Sequence, residues 1–277
     1  MGRRHRIVRQ VAGDGTNAFG TTYNLAGFAG GLDYRFNANV LAGVTVGYSN
    51  ATLYTQNLPG QGNSSTVQMG LYGKFVEGPV YVDGLAGYAH ADNRMTRQII
   101  FPGLYRTAYG QAAANQFFGQ LETGYRVELG GLAEAFLTPF ARLQGVTNTQ
   151  NGFSESGASS LDLNIAQQTT NSLRTVFGAQ LGGGIDAGWR DKLNLVFRLG
   201  WSHEFADTSR PVSASFVGAP ALGFTTLGAA APRDGAVIGF TANTAVASAT
   251  SIYFRYDGDI DGGTTSHVLS AGLRMTW

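Results

Sequence analysis

The sequence predicts an all-β fold, an antiparallel up-and-down transmembrane β-barrel of twelve strands, and three observations carry that expectation. Apolar and polar residues alternate in blocks of roughly ten, the strand period of two. Where a block carries several charges, they share one parity and the opposite face is nearly charge-free. Connections between blocks alternate strictly between short and long, the layout of a barrel with tight turns on one side of a membrane and extended loops on the other.

The blocks follow in order. Residues 22–36 place Asp33 and Arg35 on one parity, and 39–52, 64–77 (with Lys74) and 79–91 (with Asp83) continue the pattern. The clearest block is 117–129, where Phe117, Leu121, Tyr125, Val127 and Leu129 oppose Gln120, Glu122, Arg126 and Glu128. Next come 134–147 with Arg142, 171–187 with Arg174, and 193–205, where Leu193, Leu195, Phe197, Leu199, Trp201 and Phe205 oppose Asn194, Arg198, Ser202 and Glu204. Residues 234–247 and 249–259 (with Arg255 and Asp257) lead to a last block that ends Leu269, Ala271, Leu273, Met275, Trp277 against Ser270, Gly272, Arg274 and Thr276.

A soluble sandwich also alternates, but its loops are short at both ends. Here the short turns fall at Asn37-Ala38, Gly78, 130–133, 188–191 and Ser248-Ala249, and the long connections at 52–63, 92–115, 148–170, 208–233 and 259–265. The stretch 153–165 alternates too and is expected to extend a strand above the membrane. The apolar faces then meet lipid and the polar faces line a lumen.

Composition narrows the function. A chain of 277 residues with 40 glycines, 43% apolar and 13% charged residues is ordered, and a net charge of +1 without a basic cluster beyond the first nine positions leaves no nucleic-acid footprint. The absence of cysteine excludes disulfide scaffolds, thiolate metal sites and cysteine nucleophiles. No apolar stretch reaches the ~20 residues of a transmembrane helix, and the basic start lacks the apolar core of a secretory signal.

Eleven blocks are legible, yet bacterial single-chain barrels have even strand numbers. The missing strand is expected near residues 4–12, with the natural chain longer than the one given; this divides the sequence into an N-terminal segment, 1–21, and a barrel, 22–277. Residues 6–11 make a poor lipid-facing strand, because arginines interrupt the apolar pattern.

The lumen candidates are Asp33, Arg35, Lys74, Asp83, Glu122, Arg126, Glu128, Arg142, Arg174, Arg198, Glu204, Arg255, Asp257 and Arg274. Mixed signs in a confined interior favour ion pairs over a selectivity ring of one sign. Asp257, Asp259 and Asp261 match the opening of a calcium loop, but position twelve is Val268 instead of glutamate, so an acidic hairpin tip is expected and no metal or cofactor. His90, His203 and His267 fall on outward parities; Ser202, His203 and Glu204 alternate between faces, which separates a would-be triad in space. No catalytic residue is assigned.

The pattern from about Gly13 to Trp277 resembles the translocator β-domain of autotransporters, the type V secretion proteins of Gram-negative bacteria. The resemblance is carried by Gly-Gly-Leu-Asp-Tyr at 30–34, Leu-Ala-Gly-Val-Thr-Val-Gly-Tyr-Ser at 41–49, Asp-Gly-Leu-Ala-Gly-Tyr at 83–88 and Leu-Thr-Pro-Phe at 137–140. Further on it rests on Asn-Ser-Leu-Arg-Thr at 171–175, Trp-Ser-His-Glu-Phe at 201–205, Ala-Ser-Phe-Val-Gly-Ala-Pro at 214–220, Tyr-Asp-Gly at 256–258 and the terminal aromatic. It implies twelve strands, a monomer in the outer membrane, insertion by the β-barrel assembly machinery and export of an N-terminal passenger, with no enzymatic activity. In the family a helix joining passenger to barrel occupies the pore; neither is in the sequence given, and the family's aromatic first strand has no counterpart in Arg3 to Val11. The resemblance also implies that Leu269, Ala271, Leu273, Met275 and Trp277 form the assembly signal. The rival reading is a stand-alone porin-like channel; a barrel enzyme is the third.

Overall fold

The structure is a computed structural model that describes residues 2–12, 19–56, 60–131, 134–188 and 191–277. It is a closed antiparallel barrel of twelve staves. In chain order the first six strands are β1 (Gly2–Val11), β2 (Thr21–Arg35), β3 (Val40–Thr55), β4 (Gly60–Glu77), β5 (Val80–Phe101) and β6 (Leu104–Tyr125). Short β7 (Val127–Gly130) continues β6 past a break at Arg126 and pairs with β8 (Ala135–Gln150). Then come β9 (Phe153–Ser154), β10 (Leu163–Ile165), β11 (Gln168–Ile185), β12 (Leu193–Glu204), β13 (Arg210–Phe216), β14 (Ala219–Gly228), β15 (Asp234–Ala247), β16 (Thr250–Asp261) and β17 (Thr264–Met275).

The ring runs β1 to β6, then β8, β11, β12, β15, β16 and β17, and β17 returns to β1. The expected first strand is therefore present. Ile7 faces Leu25 of β2 on one side and Val268 of β17 on the other, and the pairing spans Gly2 to Val11 on both. β1 closes the ring along residues 21–30 of β2 and 264–273 of β17, and such pairing is what lets strands stand in lipid without water to satisfy their amides.

The short turns at Asn37-Ala38, Gly78 and Ser248-Ala249 lie where the sequence puts them, whereas those expected at 130–133 and 188–191 lie partly outside the described residues. Asn37 forms a side-chain turn, its Oδ1 accepting from the amides of Asn39 and Val40 at 2.8 Å each. Gly78, in the two-residue link from β4 to β5, has φ +54°, a conformation that favours glycine.

Four of the expected long loops are something else, and 153–165, expected to extend one strand, is instead β9, a 3-10 turn at Ser159–Leu161 and β10 folded back on β9. Residues 92–115 are a continuous hairpin, because β5 and β6 run on to a turn at Pro102-Gly103. Their alternation is hidden in the sequence because above the membrane both faces can meet water, so side-chain polarity no longer reports the face. The hairpin is anchored by a small core of Ile99, Ala108 and Ala158, with Leu104 and Leu161 packed against it. Residues 208–233 hold the hairpin β13–β14, which joins β9 and β10 in a second, four-stranded sheet of order β14-β13-β10-β9. Residues 259–265 shrink to a turn at Gly262-Gly263, with Asp261 Oδ1 accepting from the amides of Gly263 and Thr264.

Packing is inverted relative to a water-soluble domain. Phe28 (60% exposed), Leu71 (65%) and Leu199 (64%) stand on the outer face with many other large apolar residues, while buried apolar side chains are few. An outward apolar band of that extent is the pattern of a membrane-spanning barrel.

The inner face explains the glycine content. At five cross-strand pairs an inward aromatic ring lies over an inward glycine of the next strand: Tyr72 over Gly43, Tyr81 over Gly124, Phe118 over Gly87, Phe136 over Gly182 and Tyr253 over Gly272. A Cβ at any of these glycines would collide with the ring. The rings therefore lie against the wall instead of projecting into the bore.

Gly182→Val should push the Phe136 ring inward. The expected result is a destabilisation of about 1–3 kcal/mol by overpacking, read from the denaturant midpoint of the refolded barrel, with a narrower bore in single-channel recordings.

Candidate functional site

The lumen is built by the inward parity of every stave, so its chemistry follows from which inward residues the register and curvature bring together. Among the described residues its best-buried charged group is Glu122 of β6, 3% exposed. Its carboxylate accepts from Arg142 Nε of β8 at 2.6 Å, from Arg198 Nη2 and Nη1 of β12 at 2.7 and 3.0 Å, and from the Tyr81 hydroxyl of β5 at 2.8 Å. Gln180 of β11 donates to the Tyr81 oxygen at 3.1 Å, and the Arg198 guanidinium lies 4.3 Å from the Phe140 ring centroid. One carboxylate thus ties together five neighbouring staves. Two guanidiniums against one carboxylate, with a phenol on a remaining lone pair, is the kind of satisfied arrangement that permits charge burial.

Smaller clusters sit around the wall. Asp33 accepts from Arg274 Nη2 at 3.1 Å and from the Tyr72 hydroxyl at 2.9 Å, which links β2 to β17 and β4. Arg174 of β11 reaches over to Asp259 of β16, Nη2 to Oδ1 2.6 Å, and donates to the Ser202 hydroxyl at 2.7 Å. Arg255 and Asp257, two apart on one strand face, pair at 2.6 and 2.7 Å. Lys74 and Asp83 approach to 3.6 Å. Glu204, at the end of β12, accepts from the Ser172 hydroxyl and from the amides of Leu173 and Ala206. Arg126 pairs with Glu128 near the short-turn end and lies 3.6 Å from the Phe136 ring centroid, whereas Arg35 is exposed at the end of β2.

Sequence reasoning misses several members of these networks. Tyr72 and Tyr81 pass unnoticed because aromatics read as lipid-facing, although their parity points inward. Asp259 is expected at a hairpin tip but shares the inward parity of Asp257 and is bound to Arg174. With Asp257 and Asp259 held by arginines and Asp261 capping the turn, these carboxylates do not converge; among the described residues no group of three His, Asp or Glu side chains could hold a metal.

The outward histidines belong to the aromatic girdle. His203 Nδ1 is 2.9 Å from Asp234 Oδ1 and its ring sits between Trp201 and Phe205, while the next residue, Glu204, faces inward. His267 Nδ1 is 2.9 Å from the Tyr256 hydroxyl, and His90 Nδ1 is 2.9 Å from Asn115 Oδ1. On β17, Leu269, Leu273 and Met275 project outward at 45%, 52% and 60% exposure, Ala271 lies between them, and Trp277 extends past the strand end.

Comparison with known proteins adds the family. The family model "Autotransporter beta-domain" matches residues 8–257. No curated protein matches the chain. Among solved structures, the translocator domain of the autotransporter NalP from Neisseria meningitidis superposes with TM-score 0.78 at 16% identity, covering 100% of this chain and 87% of that one. The β-domain of the Bordetella autotransporter BrkA gives TM-score 0.66 at 18% identity, covering 100% and 98%. The transport unit of AIDA-I from Escherichia coli gives 0.64 at 13%, covering 100% and 89%.

Glu122→Gln should leave Arg142 and Arg198 without their countercharge. The expected loss is about 3–5 kcal/mol of stability, seen as a lower urea midpoint for the loss of heat-resistant gel mobility, and largely reversed when Arg198→Leu is added.

Proposed function

The chain belongs to the autotransporter β-domain family, and from that premise we propose that it is an outer-membrane translocator that brings an N-terminal passenger polypeptide to the cell surface. The family implies the outer membrane of Gram-negative bacteria. The observation that carries the reading is the character of the lumen wall. Its charges are largely spent on one another, and five of its rings occupy the space left by glycines of the next strand. A passage for a chain of arbitrary sequence must avoid strong fixed attraction to either sign, whereas a selective channel presents a ring of one sign. Twelve staves also give a bore wider than the side-chain-filled interior of an eight-stranded barrel.

The barrel has no catalytic role in this reading. Its partners are outer-membrane lipid, the β-barrel assembly machinery and the passenger. The outward alternation Leu269, Ala271, Leu273, Met275, Trp277 at the chain end is read by the assembly machinery as well as by lipid. An extended strand end with alternating apolar side chains is suited to recognition by strand addition.

The test is a fusion carrying a signal peptide, a reporter and the pore-helix linker of a characterised family member ahead of Gly2. Protease added to intact cells should degrade the reporter; a reporter that stays protected in the periplasm while the barrel is folded in the outer membrane would overturn the proposal, and steady conductance of the fused barrel with no display would favour the porin-like channel. Trp277→Ser should reduce the inserted barrel several-fold in cells but leave refolding into detergent unchanged. Equal insertion of both forms would remove the signal role.

A further inference from the structure

Among the described residues, the outward parity of β1 carries arginines where the facing positions of β2 and β17 are apolar. Register fixes which of its residues face outward: Arg4 lies between Phe28 of β2 and Ala271 of β17, and Arg6 between Ala26 and Leu269. Both arginines are exposed, and among the described residues neither forms a salt bridge. Arg3, on the other parity, turns inward and donates to the Ser270 hydroxyl at 2.7 Å.

Their height in the wall is set by the aromatic girdles. The Phe28–Tyr48 contact, ring centroids 6.1 Å apart, and the stacked Tyr256–His267 pair mark the girdle toward the long hairpins. Trp277 and the Tyr34–Phe36 pair mark the opposite one. Arg4 shares the level of Phe28, and Arg6 lies one outward position farther toward the long hairpins. Both guanidiniums therefore stand at the outer-leaflet interface, where a lipid-facing arginine costs about 0–1 kcal/mol instead of 2–4 at the midplane.

From Arg4 toward the membrane interior runs a groove of about 1200 Å³. Phe28, Val46 and Tyr48 form one wall, Ile252, Phe254 and Leu273 the other, and Gly2 and Gly30 leave the floor low. Apolar walls with cations at the interfacial end have the polarity of an anionic amphiphile. We propose that this groove binds a phosphate-bearing acylated lipid of the outer leaflet, with acyl chains along the groove and the phosphate held by Arg4 and Arg6. Guanidinium matches phosphate oxygens in a bidentate fork, and two of them can share one phosphate. Charge complementarity decides the occupant: a neutral chain would fill the walls but leave both guanidiniums unanswered. The inference rests on the outer-membrane reading of the barrel.

The experiment places the purified barrel in phosphatidylcholine vesicles and in vesicles where part of that lipid is replaced by phosphatidylglycerol, and measures thermal unfolding by gel mobility. Lipid retained after mild detergent extraction is counted by native mass spectrometry. Phosphatidylglycerol should raise the unfolding midpoint and co-purify with the native chain. The double variant Arg4→Gln, Arg6→Gln should fold, since it removes charge from the lipid face, but should bind the lipid roughly tenfold or more weakly and lose the increment. Arg9→Gln removes the same charge from the opposite face, beside Ser266 and Tyr23, and should keep it. An equal increment in native and double-variant protein, or none in a folded native barrel, overturns the proposal. The same increment from inorganic phosphate in detergent would assign the site to a free anion and overturn the lipid. A chain that fails to fold in either vesicle would instead overturn the membrane reading, and the proposal with it.

Discussion

A backbone in hydrocarbon has no water to bond, so each amide of the wall must find its partner on a neighbouring strand. In this molecule β1 meets that condition for residues 264–273 of β17 and 21–30 of β2, because it stands between the two strands and pairs with both. Remove it and two long edges open to lipid, each with a ladder of unsatisfied groups. The lumen, the girdles and the alternation of short turns with tall hairpins all presuppose that closure. It is achieved by a strand whose own side chains suit lipid poorly, which indicates that backbone pairing outweighs side-chain preference at this position.

Inside the ring, the problem is to line a wide bore without filling it. Aromatic side chains are strong cross-strand stabilisers, yet rings that projected inward would obstruct the passage. Pairing each of five inward rings with a glycine on the adjacent strand keeps the contact and removes the obstruction. Charges follow the same logic. Glu122 gathers Arg142, Arg198 and Tyr81, and Arg174 and Arg274 each reach a carboxylate on a strand that is not their neighbour. These links stiffen the wall around its circumference, a direction in which hydrogen-bond ladders resist bending least.

Above the membrane the structure behaves like a small soluble protein. Ile99, Ala108 and Ala158 form a buried core, Arg97 bonds Glu155 and the Leu161 carbonyl, and the β9, β10, β13 and β14 segments make a separate sheet. Along β14, Leu222 and Leu227 are exposed at 71% and 50%. The change of solvent between the membrane and this surface region is why one strand, β5, can obey lipid-facing alternation at Tyr88 and abandon it by Thr96.

What the sequence by itself determined is the period, the parity and the side. Alternation through 117–129 and 193–205, charges confined to one parity, and short turns at Asn37-Ala38 and Gly78 follow from local chemistry, and together with the requirement for an even strand count they locate even the charge-rich first strand. Local chemistry does not contain register or curvature, so only the tertiary structure decided which inward groups meet: that Arg198 crosses two staves to Glu122, that Asp259 belongs to Arg174 instead of a hairpin tip, and that Phe136 lies on Gly182. It also decided that 92–115 is a hairpin, because outside lipid the two faces meet the same solvent and alternation ceases to report structure. The placement of Arg4 and Arg6 at the outer girdle has the same origin. A one-residue shift in the pairing of β1 would turn both into the lumen, and nothing within residues 2–11 alone fixes that choice.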